Sequence, residues 1–216
     1  MAKSKSSQRW LQRQAEDPYV KQAQKAGYRS RAVYKLAEID EKDHLFRPGM
    51  RILDLGAAPG GWSQWAWQRL QGQAEIVASD ILPMDALPGV TFVQGDFTDQ
   101  AVMESLLAAF AGRTVHLVMS DLAPNISGLR AVDQARAMLL AELAEETACR
   151  LLAPGGAFLT KLFQGEDFDA YVKRLRGVFS KLVIRKPKAS RAESREVYLL
   201  ATGYQGSISA ELVTFS

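Results

Sequence analysis

Asp54-Leu55-Gly56-Ala57-Ala58-Pro59-Gly60-Gly61-Trp62 is the stretch on which the fold of this chain turns. Immediately before it, Met50–Leu55 reads as a short buried strand, and immediately after it Trp62–Leu70 reads as a helix. A strand that runs through a glycine-rich turn into a helix is how α/β proteins bring backbone close to a nucleotide-like ligand. The glycines permit the sharp turn and put no Cβ in the ligand's way. Pro59 presets φ as the chain enters it.

The spacing narrows the ligand. A dinucleotide fingerprint reads G-x-G-x-x-G and aims a helix N-terminus at a pyrophosphate. Here the glycines stand as G-x-x-x-G-G, preceded on the strand by Asp54. A carboxylate there suits a ligand end that carries an ammonium group better than a phosphate. That favours S-adenosylmethionine (SAM) over a nicotinamide dinucleotide, with a ligand-free tight turn as the plain alternative.

With 216 residues, 47% of them hydrophobic, the chain can bury one good core and fits a single domain. The lone Cys149 cannot form an internal disulfide. It sits in a helical run as a small apolar residue, which suggests a reducing compartment. No apolar run approaches the ~18 residues needed to span a bilayer, and the polar, basic N-terminus has no apolar segment of the signal-peptide kind. A soluble, cytoplasmic protein is expected, with no membrane partner.

The net charge of +3 conceals an asymmetry. Residues 1–35 carry nine Lys/Arg against Glu16 and Asp17, a net +7, and residues 181–195 carry six against Glu193, a net +5. The remainder is therefore at −9. Two basic segments far apart in sequence flank an acidic body. If folding joins them they form one patch for a polyanion, most simply nucleic acid; apart, they are ordinary solvated faces.

Taken in order, residues 1–16 read as a flexible basic arm. Asp17-Pro18 reads as an N-cap and first helical residue, opening a helix that ends near Ala26 and Gly27. Ser30 can cap a second helix bearing Val33, Leu36, Ile39 and Lys35. Strands are expected at Glu75–Asp80, Val90–Gln94, Val115–Ser120, Ala157–Leu162, Leu182–Ile184 and Val197–Ala201. Helices are expected at Thr98–Phe110, about Val132–Leu152 and about Asp167–Val178, with Pro154-Gly155-Gly156 as a turn into the fifth strand. Strand alternates with helix, so the fold class is α/β: a doubly wound, mainly parallel sheet.

In such sheets ligands bind at the carboxyl ends of the parallel strands. The glycine loop, Asp80, Asp96, Asp121 and Lys161 all fall at or just past those ends. Asp80 is placed to accept both ribose hydroxyls of a nucleoside, although Asp80, Asp96 and Asp121 could each be an ordinary turn or cap residue. Lys161 is harder to explain that way. It lies among Phe158, Leu159, Leu162 and Phe163, and lysines are almost never buried without a partner.

Asp54–Gln64, Leu82-Pro83-Met84-Asp85, Gln94-Gly95-Asp96-Phe97, Asp121-Leu122-Ala123-Pro124-Asn125, Lys161-Leu162-Phe163-Gln164-Gly165 and the segment from Arg185 to Tyr198 resemble the RrmJ/FtsJ family of ribose 2′-O-methyltransferases over roughly residues 8–203. The resemblance implies a Rossmann-like class I SAM-dependent methyltransferase with a seven-stranded sheet whose last strand is antiparallel. It implies one methyltransferase domain over 17–203, with N-terminal helices at 17–47, followed by a tail at 204–216 of unassigned role. Gln205–Ser216 departs from the family's pattern by extending past its usual stop.

The resemblance further implies methylation of the 2′-oxygen of a uridine in large-subunit (23S) ribosomal RNA, on the assembled subunit. The family's Lys-Asp-Lys-Glu tetrad falls on Lys35, Asp121, Lys161 and Glu196. SAM contacts fall on Gly60, Trp62, Asp80, Asp96 and Asp121, and no metal is implied. A monomer is expected. An antiparallel last strand would start at the edge where the others end, bringing Glu196 beside Asp121 and Lys161.

Methyl transfer to a ribose hydroxyl is an in-line displacement, so the protein must align the reactants and manage the hydroxyl proton. Lys161 is expected to be the base or orienting group, aligned by Asp121 and Glu196, with Lys35 steering the ribose or an adjacent phosphate. A nicotinamide oxidoreductase shares the fold class but not the glycine spacing. A non-catalytic RNA-binding assembly factor would keep the basic segments but has no need of the tetrad. Transfer-RNA and messenger-RNA cap ribose remain alternative acceptors, because the motifs report chemistry rather than target.

Overall fold

The computed structural model describes residues 16–191 and 194–206. The expected basic arm, apart from Glu16, and the tail beyond Gly206 lie outside the described residues. The elements in chain order are α1 (Pro18–Lys25), α2 (Val33–Asp43), β1 (Met50–Leu55), α3 (Gly61–Arg69), β2 (Ala74–Asp80), β3 (Val90–Gln94), α4 (Gln100–Ala109), β4 (Val115–Ser120), α5 (Arg130–Leu151), β5 (Leu152–Phe163), α6 (Phe168–Leu175), β6 (Phe179–Arg185) and β7 (Glu196–Tyr204).

The seven strands form one sheet in the order β3-β2-β1-β4-β5-β7-β6. Strand β7 runs antiparallel to both neighbours, and every other pairing is parallel. The order reverses between β1 and β4, the switch point at which loops diverge and leave a crevice. Apolar side chains on both faces of β1 follow from the period of two. Ile52 joins Leu36, Ile39, Trp62, Ala66 and Leu159 under α2 and α3. Leu53 and Leu55 join Leu106, Phe110, Ala144, Ala148 and Phe158 under α4, α5 and α6.

Two local expectations need correction. Pro154-Gly155-Gly156 does not precede the fifth strand but lies within it. Val115 pairs with Leu152 and Leu117 with Ala157, so the extra residues of β5 bulge out between these two pairs. The second helix opens at Val33 after Ala32, with Ser30 Oγ accepting from the Ala32 amide rather than capping the first turn itself. Asp17 does cap α1, its carboxylate accepting from the Tyr19 amide at 3.0 Å with Pro18 in the first turn. Among the described residues no helix is long and apolar enough to cross a membrane.

Candidate active site

The crevice lies where β1, β2 and β4 end. The amides of Gly56 and Ala57 donate to the Ser79 carbonyl, at 2.9 and 3.1 Å, which folds the loop over the end of β2. Gly56 stands at φ +72°, and a Cβ there would sit 2.3 Å from Leu122 Cδ2, so only glycine lets the loops after β1 and β4 approach this closely. Gly60, at φ +103°, turns the chain into α3. Asp80 accepts from the amides of Ala58 and Leu82, at 2.9 and 2.8 Å, and Asp96 accepts from the amide and hydroxyl of Thr98 through one oxygen.

The resulting cavity of ≈ 610 Å³ is lined by Gly56, Asp80, Asp96 and Asp121 together with apolar side chains. Three of these, Ile81, Leu82 and Leu139, are 65%, 59% and 54% exposed. Large apolar groups open to water around two carboxylates form a site complementary to a nucleoside: a flat base for the walls, hydroxyls for the acids.

Asp121, at the end of β4, connects the crevice to a second group of side chains. Lys161 Nζ donates to the Asp121 carbonyl at 2.7 Å and lies 3.1 Å from its Oδ1. The Tyr198 hydroxyl donates to the same Oδ1 at 2.7 Å and receives a hydrogen bond from Lys35 Nζ at 3.1 Å. Lys35 in turn pairs with Glu196 Oε1 at 2.7 Å, and Ser190 Oγ donates to that oxygen at 2.7 Å. The sheet explains the convergence. Residues 161 and 198 are register partners across the antiparallel β5–β7 pair, so their side chains leave the same face, and 196 lies on it by alternation. Helix α2 packs on that face and delivers Lys35.

The four tetrad residues are therefore brought together, but in the order Lys161–Asp121–Tyr198–Lys35–Glu196. Glu196 pairs with Lys35 across the group instead of lying directly against Asp121 and Lys161. Tyr198 is the member that sequence reasoning passed over, and it is fully buried. Burial would raise the Asp121 carboxyl, yet the Lys161 and Lys35 charges outweigh it and hold the group below the ordinary carboxylate range. Burial pushes the Tyr198 phenol well above its ordinary value, and the Asp121 and Glu196 charges add to the rise. Tyr198 thus stays a hydrogen-bond donor. Cations and carboxylates alternate through the cluster, so no buried charge lacks a counter-charge.

Other expected site residues sit differently. The Trp62 indole faces away from the crevice, donating to the Ala32 carbonyl at 2.9 Å and packing on the Tyr198 ring, so only its backbone borders the glycine loop. Gly60 faces Leu87, Met84 and the Arg29 guanidinium. Asp54 is buried beneath the loop and accepts from Ser63 Oγ at 2.7 Å. Burial lifts its carboxyl to about 7, against the lowering effect of that hydroxyl.

The two basic segments do meet. Arg31 bonds both Asp17 and the Ala189 carbonyl. The Lys188 amide donates to Glu38 at 2.6 Å, and Arg185 pairs with Asp43 at 2.6 Å. Helix α1, the stretch from Arg29 to Arg31 and the 186–191 loop therefore lie side by side as one basic surface next to the tetrad, while α2 supplies the carboxylates of Glu38 and Asp43 that hold the loop.

Comparisons with known proteins place the chain among its relatives. The FtsJ-like methyltransferase family matches residues 28–204. The "Ribosomal RNA large subunit methyltransferase E" of Chromohalobacter salexigens is 61% identical over 94% of this chain and 97% of its own length. The protein of the same name from Pseudomonas aeruginosa is 58% identical over 95% of this chain and 100% of its own. Among solved structures, a Plasmodium falciparum protein described as a ribosomal RNA methyltransferase superposes with a TM-score of 0.76 at 29% identity, covering 83% of this chain and all of that one. Human methyltransferase-like protein 13, solved in complex with SAH, shares the fold at a TM-score of 0.53 and 17% identity, covering 84% of this chain and 83% of that one.

Proposed function

The chain belongs to the FtsJ-like methyltransferase family, and from that premise we propose that it transfers a methyl group from SAM to the 2′-oxygen of a uridine in large-subunit (23S) ribosomal RNA. The names of the relatives at 61% and 58% identity support large-subunit RNA over transfer RNA or messenger-RNA caps as the acceptor. SAM, when bound, supplies a methyl already activated by its sulfonium centre. The crevice fits it: Asp80 offers acceptors to ribose hydroxyls, Ile81, Leu82 and Leu139 offer apolar walls to the base, and Asp96 adds a carboxylate at that end. Asp121 belongs both to this crevice and to the tetrad. Gly60 and Trp62 contribute backbone to the glycine loop.

The observation that carries the proposal is the setting of Lys161 Nζ. Two of its tetrahedral positions are directed at the Asp121 carbonyl and Oδ1. One position remains for the acceptor ribose: as an N–H of the ammonium it orients the 2′-oxygen, and only in the neutral amine, where it is the lone pair, does it take the hydroxyl proton as the methyl is transferred. Asp121 and Tyr198 hold that amine in place; Glu196 fixes Lys35, which steers the ribose or the neighbouring phosphate. The basic surface of α1, Arg29–Arg31 and the 186–191 loop holds the RNA backbone. We read it as a monomer that acts without a metal, on the assembled subunit in the cytoplasm.

The test is methyl transfer from labelled SAM to large subunits taken from cells that lack this protein, with ribose methylation mapped on the RNA. One 2′-O-methyluridine in 23S RNA is expected. A protein that binds the subunit and SAM without transferring a methyl would be an assembly factor instead.

A further inference from the structure

A second cavity, of ≈ 250 Å³, opens beside the tetrad and shares the wall residue Pro124 with the SAM crevice. We propose, resting on the function proposed above, that it receives the base of the nucleotide being methylated and that its polar lining selects uracil. Its walls are Pro124, Ile126 and Phe163, and its polar residues include Arg130, Gln134 and Arg195.

Position comes first. Phe163 is two residues beyond Lys161 on β5, on the same face, and is the register partner of Glu196, which Arg195 precedes. Two strand residues span about 7 Å, the scale of one nucleoside. A ribose whose 2′-oxygen lies at Lys161 therefore has its base within reach of this cavity. An open recess of this size suits a single base taken out of the stack, held against an aromatic ring and apolar neighbours.

The lining has a directional pattern. Gln134 on α5 is only 9% exposed. Its Nε2 donates to the carbonyls of Phe163 and Glu166, at 2.9 and 3.3 Å, which settles which way the amide points. Oε1 is buried without a protein partner and with essentially no surface open to the cavity, so the amide braces the wall between α5 and the end of β5 rather than meeting a ligand. Gly165 leaves room for the amide, since a Cβ there would lie 2.8 Å from it. The rim opposite is built: Asp133 accepts from the Ser127 amide and hydroxyl, at 2.8 and 2.7 Å, and from the Gly128 amide at 3.1 Å. Uracil presents N3–H between two carbonyl oxygens. Donors from Arg130 and Arg195 complement its two carbonyl oxygens; cytosine offers one carbonyl and puts an amino donor where the other would be.

The experiment uses SAM-loaded protein and large subunits carrying either uridine or cytidine at the methylated position. Wild type is expected to favour uridine by tenfold or more in kcat/KM. Phe163→Ala should lower kcat/KM on uridine about tenfold with SAM affinity unchanged, and Phe163→Tyr should restore it. Arg130→Met combined with Arg195→Met should shrink the uridine preference to about twofold. Variants that fold, bind SAM and keep both the wild-type rate and the wild-type preference would overturn the proposal. A short oligoribonucleotide containing 4-thiouridine, photo-crosslinked to the SAM-loaded wild type, tests the cavity whatever the natural RNA is. Crosslinks to residues 124–130 or to Phe163 support it, and crosslinks confined to α1 and α2 overturn it. Absence of methyl transfer to large-subunit RNA alongside crosslinks in the cavity would strike the ribosomal reading alone.

Discussion

Lys161 and Tyr198 stand opposite each other across the antiparallel β5–β7 pair, and both reach Oδ1 of Asp121, at 3.1 and 2.7 Å. A backbone register thus sets the geometry of the proposed methyl-transfer site. The amine is held by a residue of β4 and buttressed by a residue of β7, so three strands must be in place before it points at a substrate.

Tyr198→Phe isolates that buttress. The ring stays, so packing against Trp62 is kept, while Asp121 loses a donor and Lys35 an acceptor. Leaving buried partners unsatisfied costs about 1–3 kcal/mol, so a melting temperature lower by several degrees is expected. Methyl transfer should fall about 10- to 100-fold from misplacement of Lys161, with SAM affinity little changed by calorimetry. Wild-type turnover in this variant would show that the hydroxyl does not position the amine.

The joined basic surface gives RNA binding a salt signature. Lys21, Lys25 and Lys188 are exposed on or beside it. Changing all three to Gln should weaken binding to the ribosomal RNA and make the slope of log affinity against log salt shallower by up to about 2, at ~0.7 for each phosphate no longer neutralised. Binding titrations at several salt concentrations measure this. An unchanged slope would place the RNA on another face.

Asp54 predicts a dependence of stability on pH. Its carboxyl is lifted to about 7 by burial, against the effect of Ser63 and with the Asp121 charge adding to the rise, whereas an unfolded aspartate titrates near 4. Between those values the folded chain keeps a proton that the unfolded chain has released. Stability therefore falls as pH rises through that window and levels off above it. Asp54→Asn removes this dependence, so the stability of the variant relative to wild type should rise from pH 4 to pH 8, by at most ~1.4 kcal/mol per pH unit. Denaturant unfolding at the two pH values measures it. A difference between the two proteins that does not change with pH would mean the carboxyl ionises normally in its buried site.

The parts of the fold visible in the sequence are those in which local chemistry and packing agree. The β1–glycine loop–α3 unit can be read because Gly56 and Gly60 occupy backbone conformations that other residues avoid. The Asp17-Pro18 start of α1 can be read because a cap is a local interaction. The start of β5 cannot. Pro154-Gly155-Gly156 has turn chemistry, and only its pairing with β4 makes it a bulge within a strand. The tetrad is legible through family resemblance, and an antiparallel last strand accounts for how Glu196 approaches it. Tyr198 does not stand out: between Val197 and Leu199 it reads as one more core residue, and its hydroxyl matters only through a cross-strand register that sequence spacing does not encode. Gln134 escapes notice for a similar reason, since nothing in a helical run shows that an amide oxygen will be left without a partner.

The account rests most heavily on Lys161, and Lys161→Met tests it most directly by keeping length and apolar bulk while removing the amine. The measurement is single-turnover methyl transfer from SAM to large subunits lacking the modification, with SAM affinity determined on the same protein. A fall of about 10²- to 10⁴-fold in the transfer rate, with SAM still bound at near wild-type affinity, is the predicted result. Transfer within a few-fold of wild type would contradict the assignment of Lys161 as the group that handles the 2′-hydroxyl proton.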